Sequence, residues 1–186
     1  MHVYRHLPVQ DRINVSGNST ESLRARLLSN FSPHPVRVGG INAATVESFL
    51  QAIKYPPRSV MRRQLLAADA RFAKRNSPDP APEIIQWGRA TFEYRSGPHM
   101  FLQTTAVFAK FDQNEEAAEA LLATGYLPLD HVTGIPERPD TCLQAFEFCH
   151  ILAETRGVLL TEMGYASGLD ETPAFVTPEV VQYSRS

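Results

Sequence analysis

The sequence predicts a mainly helical α+β domain, and three observations carry that prediction. Val46, Phe49, Leu50 and Ile53 recur at i, i+3, i+4 and i+7, the period of a helix laid on a core. Extended runs are short and glycine-bounded, as in Val36–Val38 before Gly39-Gly40, whereas the helical runs carry caps and stops. With 186 residues, 43% of them hydrophobic and 20% charged, the chain can bury one real core and is not disordered.

Taken in order, Val3–Arg5 and Arg12–Val15 are candidate strands in an otherwise mixed and polar stretch to residue 27. Val36–Val38 is the third strand. Helix follows over about 45–55, opened by Thr45 as N-cap and closed by Tyr55-Pro56-Pro57. A second helix is expected over 58–75, with Met61, Leu65, Ala68 and Phe72 as its apolar stripe. The prolines between Asn76 and Pro82 mark a surface loop, residues 83–89 read as a helical turn carrying Trp87, and Thr91–Arg95 as a strand. Residues 99–111 are read as helix, although Thr104, Thr105 and Val107 also suit a strand. Asn114 caps the next helix, Glu115 and Glu116 complement its dipole, and Gly125 stops it. Asp140 caps a last helix that reaches Arg156 and ends at Gly157. The domain is expected over residues 1–160, with 161–186 as a C-terminal extension.

Composition excludes several functional classes. A net charge of −2 gives no general electrostatic footprint for nucleic acid. No apolar run approaches a membrane span and the N-terminus lacks a signal-peptide core, so a cytoplasmic protein is expected. Cys142 and Cys149, placed on one predicted helix, would lie roughly 10 Å apart, too far for a disulfide. The six histidines make no metal-binding pair on a predicted helix, and no zinc, P-loop or nucleophile-elbow motif occurs, so neither metal nor cofactor is expected.

The first predicted helix carries a second stripe. Glu47, Gln51 and Lys54 fall at i, i+4 and i+7, so a carboxylate, an amide and an ammonium project from one strip beside the buried one. Read plainly, this is a solvated ion-pair network worth a few tenths of a kcal/mol. Read chemically, it is one wall of a site.

The surrounding text favours the chemical reading. Leu28-Ser29-Asn30-Phe31-Ser32-Pro33, then Val36-Arg37-Val38-Gly39-Gly40, then the helix, resemble the NADAR family (NAD and ADP-ribose related proteins, including the YbiA-type N-glycosidases) in its "SNF" turn, short strand and "SEHYFQAQKF"-like helix. Ala70–Lys74 is similar to the family's "A-R-x-G-R", Trp87 to its central Trp, and Ala109–Asn114 to its "KFxQN". Leu121–Gly125 is similar to "LLATG", and Ile151–Arg156 to the terminal "LLMExR". The resemblance implies a YbiA-like single domain and a hydrolase that cleaves an N-glycosidic bond in a ribosylated or ADP-ribosylated nucleotide-like compound.

Such cleavage passes through an oxocarbenium-like ribose, which asks for a carboxylate near the anomeric carbon, a group to manage protons, and cations for phosphate. The resemblance implies Glu47 as that carboxylate, activating water or stabilising positive charge. It leaves Lys54 either holding a phosphate or ribose oxygen or attacking opened ribose as an amine. Asn30 presents an amide and Phe31 a ring face, unless they are turn former and core residue. Gln51 shares the helix stripe. Arg71 and Lys74, with Arg75, grip a diphosphate or serve the helix dipole. Trp87 stacks on a base or anchors the core. Lys110 is a second-tier contact, and Asp130, with Glu137 and Asp140, is a candidate acid. The departures are Ser48 where the family has His, Ala73-Lys74 for its Gly-Arg, and Ile135–Cys142 in place of its glycine-rich acidic loop. The expected ligand is a small nucleotide or ADP-ribose type of molecule, with ADP-ribosylated nucleic acid as a further substrate class. Two alternatives stay open: an inactive ADP-ribose sensor, and an interaction protein that binds its partner through residues 157–186.

Overall fold

Helix α2 (Val46–Ala52) is the element round which the others are arranged, and all seven of its residues are buried. The computed structural model describes residues 12–17, 23–138 and 141–162. Thr45 Oγ1 accepts a hydrogen bond from the Ser48 N–H at 3.0 Å, and the chain leaves the helix at Ile53, before the tyrosine and prolines. The apolar stripe is as expected: Val46, Phe49, Leu50 and Ile53 are all within 2% of full burial. Helices α3 (Val60–Ala67), α4 (Ala70–Arg75) and α5 (Gly97–Gln113) pack against α2. Helix α1 (Leu23–Leu28), absent from the sequence reading, packs on α6 (Glu115–Leu122), and α7 (Ala145–Glu162) closes the core against α5 and α6.

Three two-stranded sheets complete the α+β fold. Strands β2 (Val36–Val38) and β3 (Ile41–Ala43) form a hairpin whose turn residues, Gly39 and Gly40, have φ of +53° and +81°. A two-residue turn with both φ positive needs such glycines. A Cβ on Gly39 would also meet Trp87 Cζ2 at 2.8 Å. Strands β4 (Ile84–Trp87) and β5 (Ala90–Glu93) pair antiparallel, and β1 (Ile13–Asn14) pairs parallel with β6 (Leu129–Asp130).

Several expected elements change. The helix over 58–75 is two helices, because Asp69 Oδ1 caps α4 by accepting the Phe72 N–H at 2.8 Å and the buried Ser48 hydroxyl donates to Ala68 O at 2.7 Å. Residues 84–87 are strand, not helical turn, since Gly88-Arg89 closes a hairpin onto β5. Asn114 stands at the N-cap of α6, but its side chain donates to Pro35 O and Lys110 O. Helix α7 runs through Gly157 because Leu159, 9% exposed, belongs to the core. It begins at Ala145, where Glu137 accepts the backbone N–H, so Cys142 precedes the helix and only Cys149 lies on it. Asp140, Val3–Arg5 and residues 163–186 lie outside the described residues. No helix among the described residues is long and apolar enough to cross a membrane, and no acidic, His or Cys cluster among them could hold a metal.

Candidate functional site

A cavity of about 660 Å³ opens beside the first turns of α2. Its walls are Glu47, Leu50 and Gln51 of α2, the Ser29-Asn30-Phe31 turn, Lys74 of α4, the loop His131–Arg138, and Thr141–Leu143 with Ala145 and Phe148 of α7. The polar stripe of α2 therefore faces inward. Glu47 is only 5% exposed and Gln51 only 1%. Stripping a carboxylate of water costs several kcal/mol unless partners replace the water. Here Gln51 Nε2 donates to Glu47 Oε1 at 2.7 Å, and Lys74 Nζ lies 3.4 Å from the same oxygen. Lys74 is half exposed, so the pair runs from the buried wall toward the cavity mouth.

Opposite α2, the Ser29-Asn30-Phe31 turn is held from beneath by a buried cation. The Lys110 ammonium, 1% exposed, donates to Leu27 O at the end of α1 and to Ser29 O at 2.8 Å. Leu27 O is an acceptor that the end of α1 leaves free, and Ser29 O also accepts from the backbone N–H and hydroxyl of Ser32. Burial drives the Lys110 pKa well below its ordinary value of 10.5. The Asn30 carbonyl accepts the Glu47 N–H at 3.0 Å, which ties the turn to the start of α2. Three cavity residues then keep polar atoms that are buried yet unpartnered: Ser16 Oγ, Asn30 Oδ1 and Gln51 Oε1. Buried polar atoms without partners are rare, and three round one cavity are what a polar ligand would satisfy.

The remaining wall is the loop after β6. Asn14 fixes its start, donating from Nδ2 to Val132 O and accepting the Val132 N–H on Oδ1, both at 3.0 Å. Asp130 Oδ1 accepts the His131 N–H at 2.8 Å, and the His131 ring stands edge-on to Phe148, centroids 5.5 Å apart. Farther along, Arg138 makes a two-pronged pair with Asp79, at 3.1 and 3.2 Å, across the exposed rim. Within the wall, Cys142 is buried and its thiol is pushed up to about 11 by desolvation, so it stays protonated at neutral pH.

The sequence-derived residues divide between cavity and scaffold. Glu47, Gln51, Asn30, Phe31 and Lys74 share the cavity. Lys54 is not among the lining residues: α2 ends before residue 54, and the ammonium donates to Ser77 Oγ at 3.0 Å, 5.7 Å from the Tyr94 ring centre. The amine beside Glu47 is Lys74 instead, because the break at Asp69 swings α4 against α2. Trp87 is a core anchor, edge-on to Phe49 at 5.6 Å, with the buried Arg62 guanidinium 5.6 Å from its ring. Lys110, expected as a surface contact, is the buried prop of the Asn30 turn. Arg71 is exposed on α4 outside the cavity, and Asp130 faces Arg12 at 3.1 Å. His131, Ser16 and Arg138 are the cavity residues that sequence reasoning passed over. Their only signal was His131 beside the already suspect Asp130.

The comparisons with known proteins bear on family and fold. A family model described as bacteriophage protein GP30.3 matches residues 22–157. Among solved structures, the NMR structure of the E. coli protein YbiA is similar, with 22% identity, 90% of this chain and 93% of that chain covered, and a TM-score of 0.59. At that identity the likeness is one of fold. No protein of curated function matches.

Proposed function

The chain belongs to the bacteriophage GP30.3 protein family, a NADAR-like group, and has the YbiA-like fold, and from that premise we propose that it is an N-glycosidase acting on a ribosylated or ADP-ribosylated nucleotide-like substrate. The observation that carries the reading is Glu47, a buried carboxylate on the wall of a nucleotide-sized cavity, flanked by the unpartnered amide oxygens of Gln51 and Asn30. As the C–N bond loosens, positive charge builds on the ribose ring, and a fixed carboxylate in a water-poor site stabilises that charge more than it stabilises the ground state. Gln51 Oε1 and Asn30 Oδ1 accept hydrogen bonds from ribose hydroxyls or from a base edge. Lys74 and Arg138, at the mouth, face the phosphates.

The test is incubation of the full chain with ADP-ribosylated guanine DNA, NAD and aminopyrimidine ribotides, comparing wild type with Glu47→Gln. Release of free base or ADP-ribose by wild type alone supports the glycosidase. Equal ADP-ribose binding by both proteins with no release would make the chain a nucleotide sensor. The reaction needs no metal, so a chelator leaves the rate unchanged.

A further inference from the structure

Hydrolysis of an N-glycosidic bond sets two tasks, stabilising charge on the ribose and removing a proton from the attacking water. Glu47 suits the first, since Gln51 and Lys74 hold its Oε1 in place on the buried α2 wall. The other ionisable side chains of the cavity are mostly engaged as well. Glu137 accepts the Ala145 N–H at 2.7 Å and Arg138 is forked on Asp79, while Cys142 is a protonated thiol. In His131, among the described residues, neither ring nitrogen has a hydrogen-bond partner.

We propose that His131 is the general base of this cavity, taking the proton of the water that attacks the anomeric carbon. The proposal rests on the glycosidase reading above. It stands first on placement. The backbone is pinned on both sides of the residue, by Asp130 accepting its own N–H and by the double bond of Asn14 to Val132. The ring plane is set by Phe148, at an interplanar angle of 86°. An imidazole held this way lines the cavity in a fixed orientation, which is the condition for efficient proton transfer. In the step itself, the water O–H breaks and the C1–O bond forms while C1–N breaks, its electron pair leaving on nitrogen. The proton passes to His131 and then to the departing base, so the enzyme ends unchanged.

The electrostatics suit an acceptor. Burial lowers the His131 pKa from 6.5, and Lys74 lowers it further, against the opposing charges of Glu137, Asp130 and Glu47. Helix α7 faces the ring with the uncharged Phe148. The imidazole is therefore neutral at pH 7.

The experiment measures release of ADP-ribose from ADP-ribosylated guanine DNA by wild type, Glu47→Gln, His131→Gln and His131→Gly, as a function of pH. For His131→Gln, kcat should fall about 100-fold or more while KM stays near the wild-type value, and the acid limb of the pH profile, centred below 6.5 in wild type, should vanish. Added imidazole should restore part of the rate to His131→Gly, a result that a merely structural histidine would not give. If Glu47→Gln is inactive while His131→Gln keeps wild-type kcat and pH dependence, the proposal falls and the glycosidase reading stands. An inactive His131→Gly that imidazole does not revive also overturns it. If wild type releases nothing from any substrate, both readings fall together.

Discussion

The two walls of the cavity are built on opposite principles. The α2 wall is buried throughout, and its polar groups are fixed by neighbours one helical turn away or by a buried lysine beneath. The facing loop, Val132–Arg138, is exposed at every residue and is held at its ends by contacts far away in sequence. Asn14 reaches Val132 across 118 positions, and Asp79 reaches Arg138 across 59. The contrast assigns work: the rigid wall supplies the charge-stabilising carboxylate, and the loop supplies recognition and proton handling. It also separates what should tolerate change from what should not.

Substitutions on the rigid wall should break activity hardest. Glu47→Gln keeps the shape and the Gln51 contact but removes the charge, so kcat should fall by about 10³-fold with ADP-ribose affinity little changed. Parallel turnover and calorimetric titration would check this. Lys110→Met should be the most destabilising single change, by about 3 kcal/mol in denaturant unfolding, because Leu27 O loses its donor and Ser29 O keeps only those of Ser32. If it leaves stability and ligand affinity untouched, the wall is not propped as described.

The buried core should report pH. His99 is fully buried behind Cys142, and its pKa is lowered to about 4 by desolvation and by the charges of Lys54 and Arg95. An unfolded chain binds that proton near 6.5, so it holds more protons than the fold between about 4 and 6.5. Stability should thus be full above 6.5 and decline as pH falls toward 4, by roughly 3 kcal/mol for this group. His99→Gln should flatten that part of the curve. The smallest effect belongs to the loop. Arg138→Gln breaks an exposed pair and should leave the unfolding midpoint unchanged, while raising KM several-fold for phosphate-bearing ligands.

What was legible in the sequence follows the same division. The i, i+3, i+4, i+7 pattern from Val46 to Ile53 exposes the buried face of α2, and Gln51 four residues after Glu47 already implies their contact. Lys54, seven residues along the stripe, lies past the helix end, whereas Lys74 reaches Glu47 through a helix break that only the capping Asp69 betrays. Trp87 and Lys110 look like binders in a linear reading, since sequence spacing does not reveal that Gly39 makes room for an indole or that two carbonyls await an ammonium. His131 could not be placed from sequence, because what positions it is a parallel pairing of β1 with β6 across the length of the domain. The family and fold were legible for the opposite reason: they rest on many short motifs kept in order.

The most direct measurement is a crystal structure of the full chain soaked with ADP-ribose. It should show the terminal ribose against Glu47, its hydroxyls within hydrogen-bond distance of Gln51 Oε1 or Asn30 Oδ1, and the diphosphate toward Lys74 and Arg138. Ligand bound elsewhere, for instance in the shallow groove between Pro80 and Tyr94, with Glu47 still paired only to Gln51 and Lys74, would contradict the account.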